Sequence, residues 1–333
     1  MNTRANWVDY GKGIGIILMI YGHLLSSAYH GGIKVPEHFF ALSDSIIYGF
    51  HMPFFFFLSG LFVENSFRKR GAKVYLLDKF SRIAYPYMIW SILQVSVEVI
   101  FSDHTQKGAT ISDLLAVIYR PWGQFWFLYA LLLMYVTYAI FNKLGKYATP
   151  LMLITAIILY FYPIPINMMA LGSYSIHLIF FTSGIIFRKR FVEAEKLDIP
   201  IWVVILLLAA LIGSGYFIFE NLVEPMRLAG RSHPFYYMYL SILGIIACTA
   251  LAQYLSKRNI AQFLQTLGAY SLQIYLVHML AGVGIRMVLL LVFNIQNWII
   301  HMVVGVTFAL AIPILMQKIS DRLGFPYLFE LKK

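Results

Sequence analysis

The sequence is poor in cysteine and in charged residues, and both shortages exclude large classes of protein. Its 333 residues include one cysteine, Cys248, so neither an intramolecular disulfide nor a cysteine metal cluster can form. Charged residues make up 12% of the chain, about half of what an ordinary soluble domain carries. With 60% hydrophobic residues and a mean hydropathy of +0.73, the composition indicates a protein that crosses a membrane several times.

Acidic residues are also scarce, since 15 of them stand against 26 lysines and arginines and leave a net charge of +11. The basic residues lie in short clusters between long apolar runs rather than along one groove. We therefore predict no nucleic-acid partner and attribute the excess positive charge to membrane topology.

Ten apolar runs are each predicted to form a transmembrane helix, because backbone groups without hydrogen-bond partners are costly in lipid. The fifth is short and ends at Pro163-Ile164-Pro165, so a tilted or half-crossing helix is an alternative there. We predict an all-α polytopic membrane protein with one integral-membrane domain over residues 1–333. The approximate spans are 13–29, 42–63, 83–101, 123–141, 149–162, 170–187, 201–219, 235–255, 269–293 and 298–316.

The distribution of basic residues predicts that both termini are cytoplasmic. In that orientation twenty lysines and arginines fall in cytoplasmic segments, five fall outside, and Arg286 lies inside a span. This bias follows the positive-inside rule, and its alternation supports ten spans. The five outer residues are Lys34, Lys107, Arg120, Arg227 and Arg231.

Residues 2–28 loosely resemble a secretory signal, with a basic start, an apolar run and the small residues Ser26-Ser27-Ala28. Lys12 and His23 lie within or beside the apolar run, where polar residues weaken a signal core but suit a functional first helix. We predict that the segment remains as the first span.

Three histidines are predicted to lie near the middle of the bilayer, where ionisable residues are costly and often functional. His23 follows Gly13 by ten residues, which is about 15 Å of helix, and His51 and His278 lie at similar depths in their own spans. Similar depth does not establish contact. The alternative is that each histidine separately hydrogen-bonds a carbonyl and joins two helices.

His23 is the preferred candidate for a general base, because an imidazole shielded from water stays neutral near neutral pH. Lys12 precedes it by eleven residues and shares nearly the same helix face. This spacing suits an anionic donor that binds at Lys12 and reaches His23 with its acyl end. An interfacial lysine that follows the positive-inside rule is the alternative.

Two further segments contain candidate residues. In the second span, Pro53 predicts a kink and Ser59-Gly60 forms a small patch, which kinked packing alone would also explain. Lys79 and Arg82 lie one turn apart at the cytoplasmic end of the third span, where they either bind phosphate or anchor the helix.

Five short motifs occur along the chain in a fixed order. Together they resemble the integral-membrane acyltransferase-3 family, especially O-acetylases of bacterial surface polysaccharides and the fucose 4-O-acetylase-like branch. The resemblance covers nearly the whole chain. The motifs are Lys12 followed by ten residues and His23, then Phe50-His51-Met52-Pro53-Phe54-Phe55-Phe56-Phe57-Leu58-Ser59-Gly60, Lys79-x-x-Arg82-Ile83-x-x-Pro86, Trp126-Phe127-Leu128 and Ser271-x-x-Ile274-Tyr275-x-x-His278.

This resemblance implies transfer of an acyl group, commonly acetyl from acetyl-CoA, to a sugar hydroxyl of an O-antigen, capsule, exopolysaccharide or lipid-linked precursor. It implies a multi-pass protein of the bacterial cytoplasmic (inner) membrane, with a glycan or lipid-linked saccharide and membrane lipids as partners. No metal is predicted, and the oligomeric state is not determined.

The resemblance also implies roles for individual residues. His23 is the catalytic histidine, and Lys12, Lys79 and Arg82 are the candidate donor-binding residues. Lysine at the first two of these positions keeps the charge but loses the bidentate fork of arginine.

In the mechanism that we expect, CoA enters from the cytoplasm and His23 deprotonates the acceptor hydroxyl. An acyl-histidine intermediate is the alternative. Attack on the thioester creates an oxyanion that needs a hydrogen-bond donor. The candidate donors are His51, Ser59 and Tyr275; the candidate substrate-binding residues are Trp122, Trp126, Tyr275 and His278, although interfacial anchoring also explains the tryptophans.

Two other functions fit parts of the pattern. A proton-coupled carrier or exporter suits many spans and mid-membrane histidines, but the sequence shows no convincing pair of matching interrupted helices in two halves. An assembly or scaffold protein leaves the histidines unexplained.

Overall fold

The computed structural model describes residues 6–101, 108–166, 168–193, 198–222 and 233–331, and these residues form helices, turns and loops without a β-strand. Seven basic residues used to predict the orientation lie outside this part: Arg4, Lys107, Lys196, Arg227, Arg231, Lys332 and Lys333. The α-helices are α1 Asn6–His30, α2 Glu37–Tyr48, α3 His51–Gly60, α4 Val63–Lys79, α5 Tyr85–Ile100, α6 Ile111–Ala116, α7 Trp126–Phe141, α8 Ala148–Phe161, α9 Leu171–Glu193, α10 Ile201–Asn221, α11 Pro234–Lys257, α12 Phe263–Ala269, α13 Ser271–Leu291 and α14 Trp298–Arg322.

Within the described residues, seven helical runs are long and apolar enough to cross a membrane. They confirm a polytopic membrane protein, whereas the count of ten spans and the orientation stay predictions. Each predicted span coincides with helix, but α1 and α9 are not among the seven, since both mix polar side chains into their apolar runs. The seven runs are Glu37–Gly60, Val63–Ile100, Gly123–Phe161, Ile201–Asn221, Pro234–Lys257, Ser271–Leu291 and Trp298–Arg322.

The second predicted span is interrupted where its proline predicts a kink. Pro53 has no N–H to donate to the carbonyl of Gly49, and α2 ends just before this glycine. The buried hydroxyl of Ser241 in α11 donates to that carbonyl at 2.9 Å. A side chain from another helix thus satisfies the backbone group that the proline leaves free, as lipid surroundings require.

The fifth predicted span is too short for a full crossing by itself. Helix α8 has 14 residues, which is about 21 Å of helix against a hydrocarbon core of about 30 Å. A 3-10 stretch, Asn142–Tyr147, joins α8 to α7 across a kink at Gly145, and the joined run has 39 residues. The 14-residue length of α8 itself agrees with the alternative of a tilted or half-crossing helix.

The C-terminal segment lies beyond the last predicted span, which ends at residue 316. Helix α14 continues to Arg322, and the residues beyond it bind the helical segment that contains α5. The indole N–H of Trp90 donates to the carbonyl of Leu328 at 2.7 Å, and the N–H of Leu331 donates to the carbonyl of Ser81 at 3.3 Å. These backbone contacts order a segment that its composition alone would leave on the surface.

The chain divides into two compact units. The first comprises residues 1–58 and 187–314, and the second comprises residues 59–186 and 315–333. In the first unit α1 is the central helix and packs against α2, α11, α12 and α13. In the second unit α7 packs against α4, α8 and the π-helix Phe80–Ala84 that joins α4 to α5.

Helix α1 lies against α12 with backbone contacting backbone. A Cβ atom at Gly268 would overlap the carbonyl oxygen of Asp9, and one at Gly13 would overlap the carbonyl oxygen of Leu264. The two glycines therefore allow the same close approach from both sides. This contact holds one end of α1 in a single position, and the basic residues predict that this end is cytoplasmic.

We expect Gly268→Ala to destabilise the protein by about 2 kcal/mol, because the added methyl must push two backbones apart. The matched control is Gly284→Ala in α13, where a Cβ meets nothing within 4 Å. That substitution should leave stability unchanged or raise it slightly, since alanine favours helix over glycine. Thermal unfolding in detergent measures both; equal melting temperatures would contradict the close contact.

Candidate functional site

Three helices of the first unit bring His23, His278 and Tyr48 together. The imidazole centroids of His23 in α1 and His278 in α13 are 5.3 Å apart, with the rings tilted by 50°. The hydroxyl of Tyr48 in α2 lies 3.4 Å from Nδ1 of His23. Two histidines that were predicted only to share a depth are therefore neighbours.

Backbone hydrogen bonds determine the tautomer of His278. Its Nδ1 donates to the carbonyl of Tyr275 at 2.7 Å and lies 3.2 Å from the carbonyl of Ile274. The ring is fully buried, and Nε2 has no hydrogen-bond partner among the residues that the structure describes. Because a neutral imidazole with Nδ1–H carries a lone pair on Nε2, His278 presents an unsatisfied buried acceptor.

His51 is joined to the same cluster through Tyr48. Its Nδ1 donates to the carbonyl of Ile47 at 2.7 Å, and its ring meets the ring of Tyr48 edge to face at 4.8 Å. A neutral imidazole has a single N–H, so this carbonyl occupies the donor of His51. The ring of His51 contacts Tyr48, and the hydrogen bond from its Nδ1 argues against the predicted role of His51 as an oxyanion donor.

His23 is the half-buried member of the cluster, and the Tyr48 hydroxyl is its hydrogen-bond partner within the described residues. In the tautomer with Nδ1–H, the ring donates to the tyrosine oxygen and keeps a lone pair on Nε2. That arrangement suits a general base. Gly22 permits it, because a Cβ there would lie 3.1 Å from the ring of Tyr48.

Sequence reasoning missed Tyr48 and Asp44. Asp44 lies one turn before Tyr48 in α2 and interacts electrostatically with Tyr48 and with His30. Asp44 could have been found from the sequence, because an acidic residue within an apolar run often has a function. The tyrosine was not recognisable, because the choice among many tyrosines depends on which helices are adjacent.

Lys12 lies at the other end of α1, eleven residues before His23 in one uninterrupted helix. Its Nζ is 3.9 Å from Oδ1 of Asp9, whose side chain is buried. A partly exposed lysine with a distant carboxylate partner retains charge for an anionic ligand. Asp9 was also missed by sequence reasoning, and it competes with any such ligand.

Tyr275 completes the predicted residues of the first unit. Its ring is buried, and the centroid lies 6.1 Å from that of His278. The backbone carbonyl of Tyr275, rather than its side chain, makes the hydrogen bond to His278.

Lys79, Arg82 and Ser59 belong to the second unit. Nζ of Lys79 lies over the ring of Tyr135 at 4.3 Å, and Tyr135 shares a hydrogen bond with Ser59. Arg82 is exposed instead, and its Nε donates to Asp78 at 3.0 Å. The motif was predicted either to bind phosphate or to anchor the helix. Its two cations contact different neighbours, because the π-helix that starts at Phe80 changes the helical phase between them.

Trp122 and Trp126 also lie in the second unit, among polar side chains that sequence reasoning missed. The indole N–H of Trp122 donates to Glu98 at 2.9 Å, and the ring of Trp126 lies 5.3 Å from that of His177. Glu98 also accepts from Gln94 at 3.0 Å. Indole rings among polar side chains suit contact with a sugar, and interfacial anchoring explains them equally.

Metal chemistry has no evident ligand set in the described part of the chain. Within those residues, no three histidine, cysteine, aspartate or glutamate side chains are grouped as metal ligands would be.

Replacing Tyr48 with phenylalanine removes the hydroxyl beside Nδ1 of His23. We expect the nitrogen NMR signals of His23 to move toward a mixture of tautomers, while those of His51 and His278 stay, because both donate to backbone carbonyls. Solid-state NMR of histidine-labelled protein in lipid measures this. Unchanged His23 signals would show that Tyr48 does not orient the ring.

Comparisons with known proteins match most of the chain, including the candidate site residues. A family model described as an acyltransferase domain matches residues 5–318. Nodulation protein NolL of Sinorhizobium fredii (strain NBRC 101917 / NGR234) is 27% identical over 195 residues, covering 58% of this chain and 51% of that protein. Nodulation protein NolL of Mesorhizobium japonicum (strain LMG 29417 / CECT 9101 / MAFF 303099) is 25% identical over 304 residues, covering 83% and 76%.

The chain thus spans about half the length of the first relative and three quarters of the second. No solved structure matches the chain.

Proposed function

Because this chain belongs to the acyltransferase-3 family, we propose that it moves an acyl group, in the first instance acetyl, from cytoplasmic acyl-CoA to a sugar hydroxyl. The acceptor in this proposal is a cell-surface polysaccharide or its lipid-linked precursor. The family makes the protein an acyltransferase, and its apolar helices make it a multi-pass membrane protein. The donor, the acceptor and the bacterial inner membrane belong to the proposal.

The contact between His23, His278 and Tyr48 is the observation that carries the mechanism. His23 Nε2 takes the proton from the acceptor hydroxyl as its oxygen attacks the thioester carbonyl carbon. The C–S bond then breaks, and the proton passes to the leaving thiolate. A base placed in this way contributes about 10² to 10⁴ in rate.

His278 supports this step because its Nε2 is an acceptor. A neutral neighbour with a lone pair tolerates the positive charge that His23 gains, whereas a second cation at this distance would oppose it. The role requires the tautomer that the carbonyls of Tyr275 and Ile274 impose.

Lys12 is the first candidate for the phosphates of the donor. It precedes His23 by about 16 Å along one helix, so an extended thioester bound at Lys12 can reach the base. Lys79 and Arg82 are further donor-binding candidates of the second unit. A donor phosphate at Arg82 competes with Asp78, which already accepts from its guanidinium.

For the oxyanion, the proposal retains Ser59 and Tyr275 and adds the Tyr48 hydroxyl, which lies beside the base. Trp122 and Trp126 remain candidates for stacking on the sugar. The transporter alternative gains no support, because the acyltransferase match covers nearly the whole chain.

We expect His23→Ala to abolish acyl transfer, with a loss of at least about 10² in rate because the general base is gone. The assay expresses the protein in a bacterium with a defined surface glycan and weighs that glycan for one added acetyl group. The control is His38→Ala, which removes an exposed histidine paired with Glu220 and should retain activity. Acetylation by His23→Ala at equal expression would remove His23 from catalysis.

We expect Lys12→Gln to raise the KM for acyl-CoA roughly tenfold, the effect of one lost charge-assisted hydrogen bond, and to leave the acceptor KM unchanged. Asp9→Asn is the matched comparison. It keeps the lysine charge and removes its competitor, so the donor KM should stay or fall. A rise in acceptor KM alone after Lys12→Gln would place the donor elsewhere.

A further inference from the structure

Arg286 in α13 is a buried cation that the proposed chemistry does not use. Only 7% of the residue is exposed. Its Nε is buried and has no hydrogen-bond partner among the residues that the structure describes, and none of the ion pairs there includes Arg286. An isolated charge taken out of water is costly, so an arginine kept in this state usually has an anionic partner.

Arg286 lies on the same helix as His278, two turns farther along it. His278, Gly282 and Arg286 follow one another at intervals of four residues along α13, and His23, Ser27 and Gly31 do the same along α1 and its end. The two rows contact each other at both ends. The histidine rings meet at one end, and at the other a Cβ on Gly31 would overlap Nη1 of Arg286.

Arg286 therefore lies about 12 Å of helix beyond His278, on the predicted outer side of the cluster. Between their two ends the rows are tightly packed, because a Cβ on Gly282 of α13 would lie 2.6 Å from a methyl carbon of Leu24 in α1. Packed helices, rather than a flexible loop, thus hold the guanidinium at this distance from the histidine pair.

The protein groups around Arg286 compensate its charge only in part. The end of α1 at Gly31 supplies the negative end of a helix dipole, equivalent to about half a charge. Asp44 on α2 interacts electrostatically with His30 and Tyr48. A guanidinium has five N–H donors in a planar fork, which matches an oxyanion better than a helix end.

From these observations, and resting on the proposed function, we propose that Arg286 binds an oxyanion of the acceptor, so that the preferred acceptor is an anionic saccharide. The oxyanion is either the phosphate of a lipid-linked sugar or a carboxylate of the glycan. Arg286 thereby positions the acceptor so that its hydroxyl meets His23, and it selects against neutral glycans.

The kinetic test compares wild type with Arg286→Gln and Arg286→Lys on three acceptors: a neutral glycan, the same glycan on a lipid diphosphate, and a glycan that contains a uronic acid. We expect Arg286→Gln to raise the KM for an anionic acceptor roughly tenfold and to leave the KM for acyl-CoA unchanged. Arg286→Lys should restore part of the affinity. The acceptor that loses affinity identifies the source of the oxyanion, and equal loss on all three overturns the proposal.

A second measurement is independent of acyl transfer. Because Lys12 is the proposed site of the donor phosphates, the parent protein for this measurement is Lys12→Gln. Inorganic diphosphate should raise the melting temperature of this parent in detergent, and adding Arg286→Gln should abolish that rise. The control Arg258→Gln, which removes an arginine bound to Asp198, should keep it. If Arg286→Gln only lowers the melting temperature and keeps the response to diphosphate, Arg286 caps α1 and binds no anion. If this parent responds to diphosphate but the wild-type protein transfers no acyl group, the proposed function is rejected while the anion site at Arg286 stands.

Discussion

The hydrogen bond from Nδ1 of His278 to the carbonyl of Tyr275 is the interaction on which the site depends. In lipid surroundings no water replaces that carbonyl, so the ring holds one tautomer and turns an unprotonated Nε2 away from its own helix. His23 beside it can then gain a proton without facing a second donor. A change of tautomer at His278 would put an N–H where the site needs an acceptor.

Helix α1 carries or contacts the residues proposed to bind the donor, to act as the base and to bind the acceptor. It carries Lys12 near one end, His23 two turns before the other end and, just beyond its last turn, the glycine against which Arg286 packs. A single helix fixes these distances better than loops do, because its backbone hydrogen bonds do not compete with water. The glycine contacts with α12 keep its charged end in position while the histidine contacts α13.

In the second unit, Lys79 and Arg82 lie in different surroundings. The π-helix at Phe80–Ala84 separates the surroundings of Lys79, which lies over tyrosine rings, from those of Arg82, which binds carboxylates. The C-terminal segment binds the same π-helix through Ser81 and adds Glu330 near Arg82 at 3.8 Å. Lys79 and Arg82, the predicted donor-binding residues, thus already contact protein groups that a ligand must displace.

The sequence by itself determined the all-helical membrane fold and the places of the helices, because hydropathy is a local property. Tertiary structure alone decided which histidines touch, that Tyr48 and Asp9 adjoin the predicted residues, and that Arg286 has no counter-ion in the described part of the chain. These facts depend on how each helix is rotated and which helix lies beside it. Apolar side chains face lipid and protein with equal ease, so an apolar run does not encode that choice.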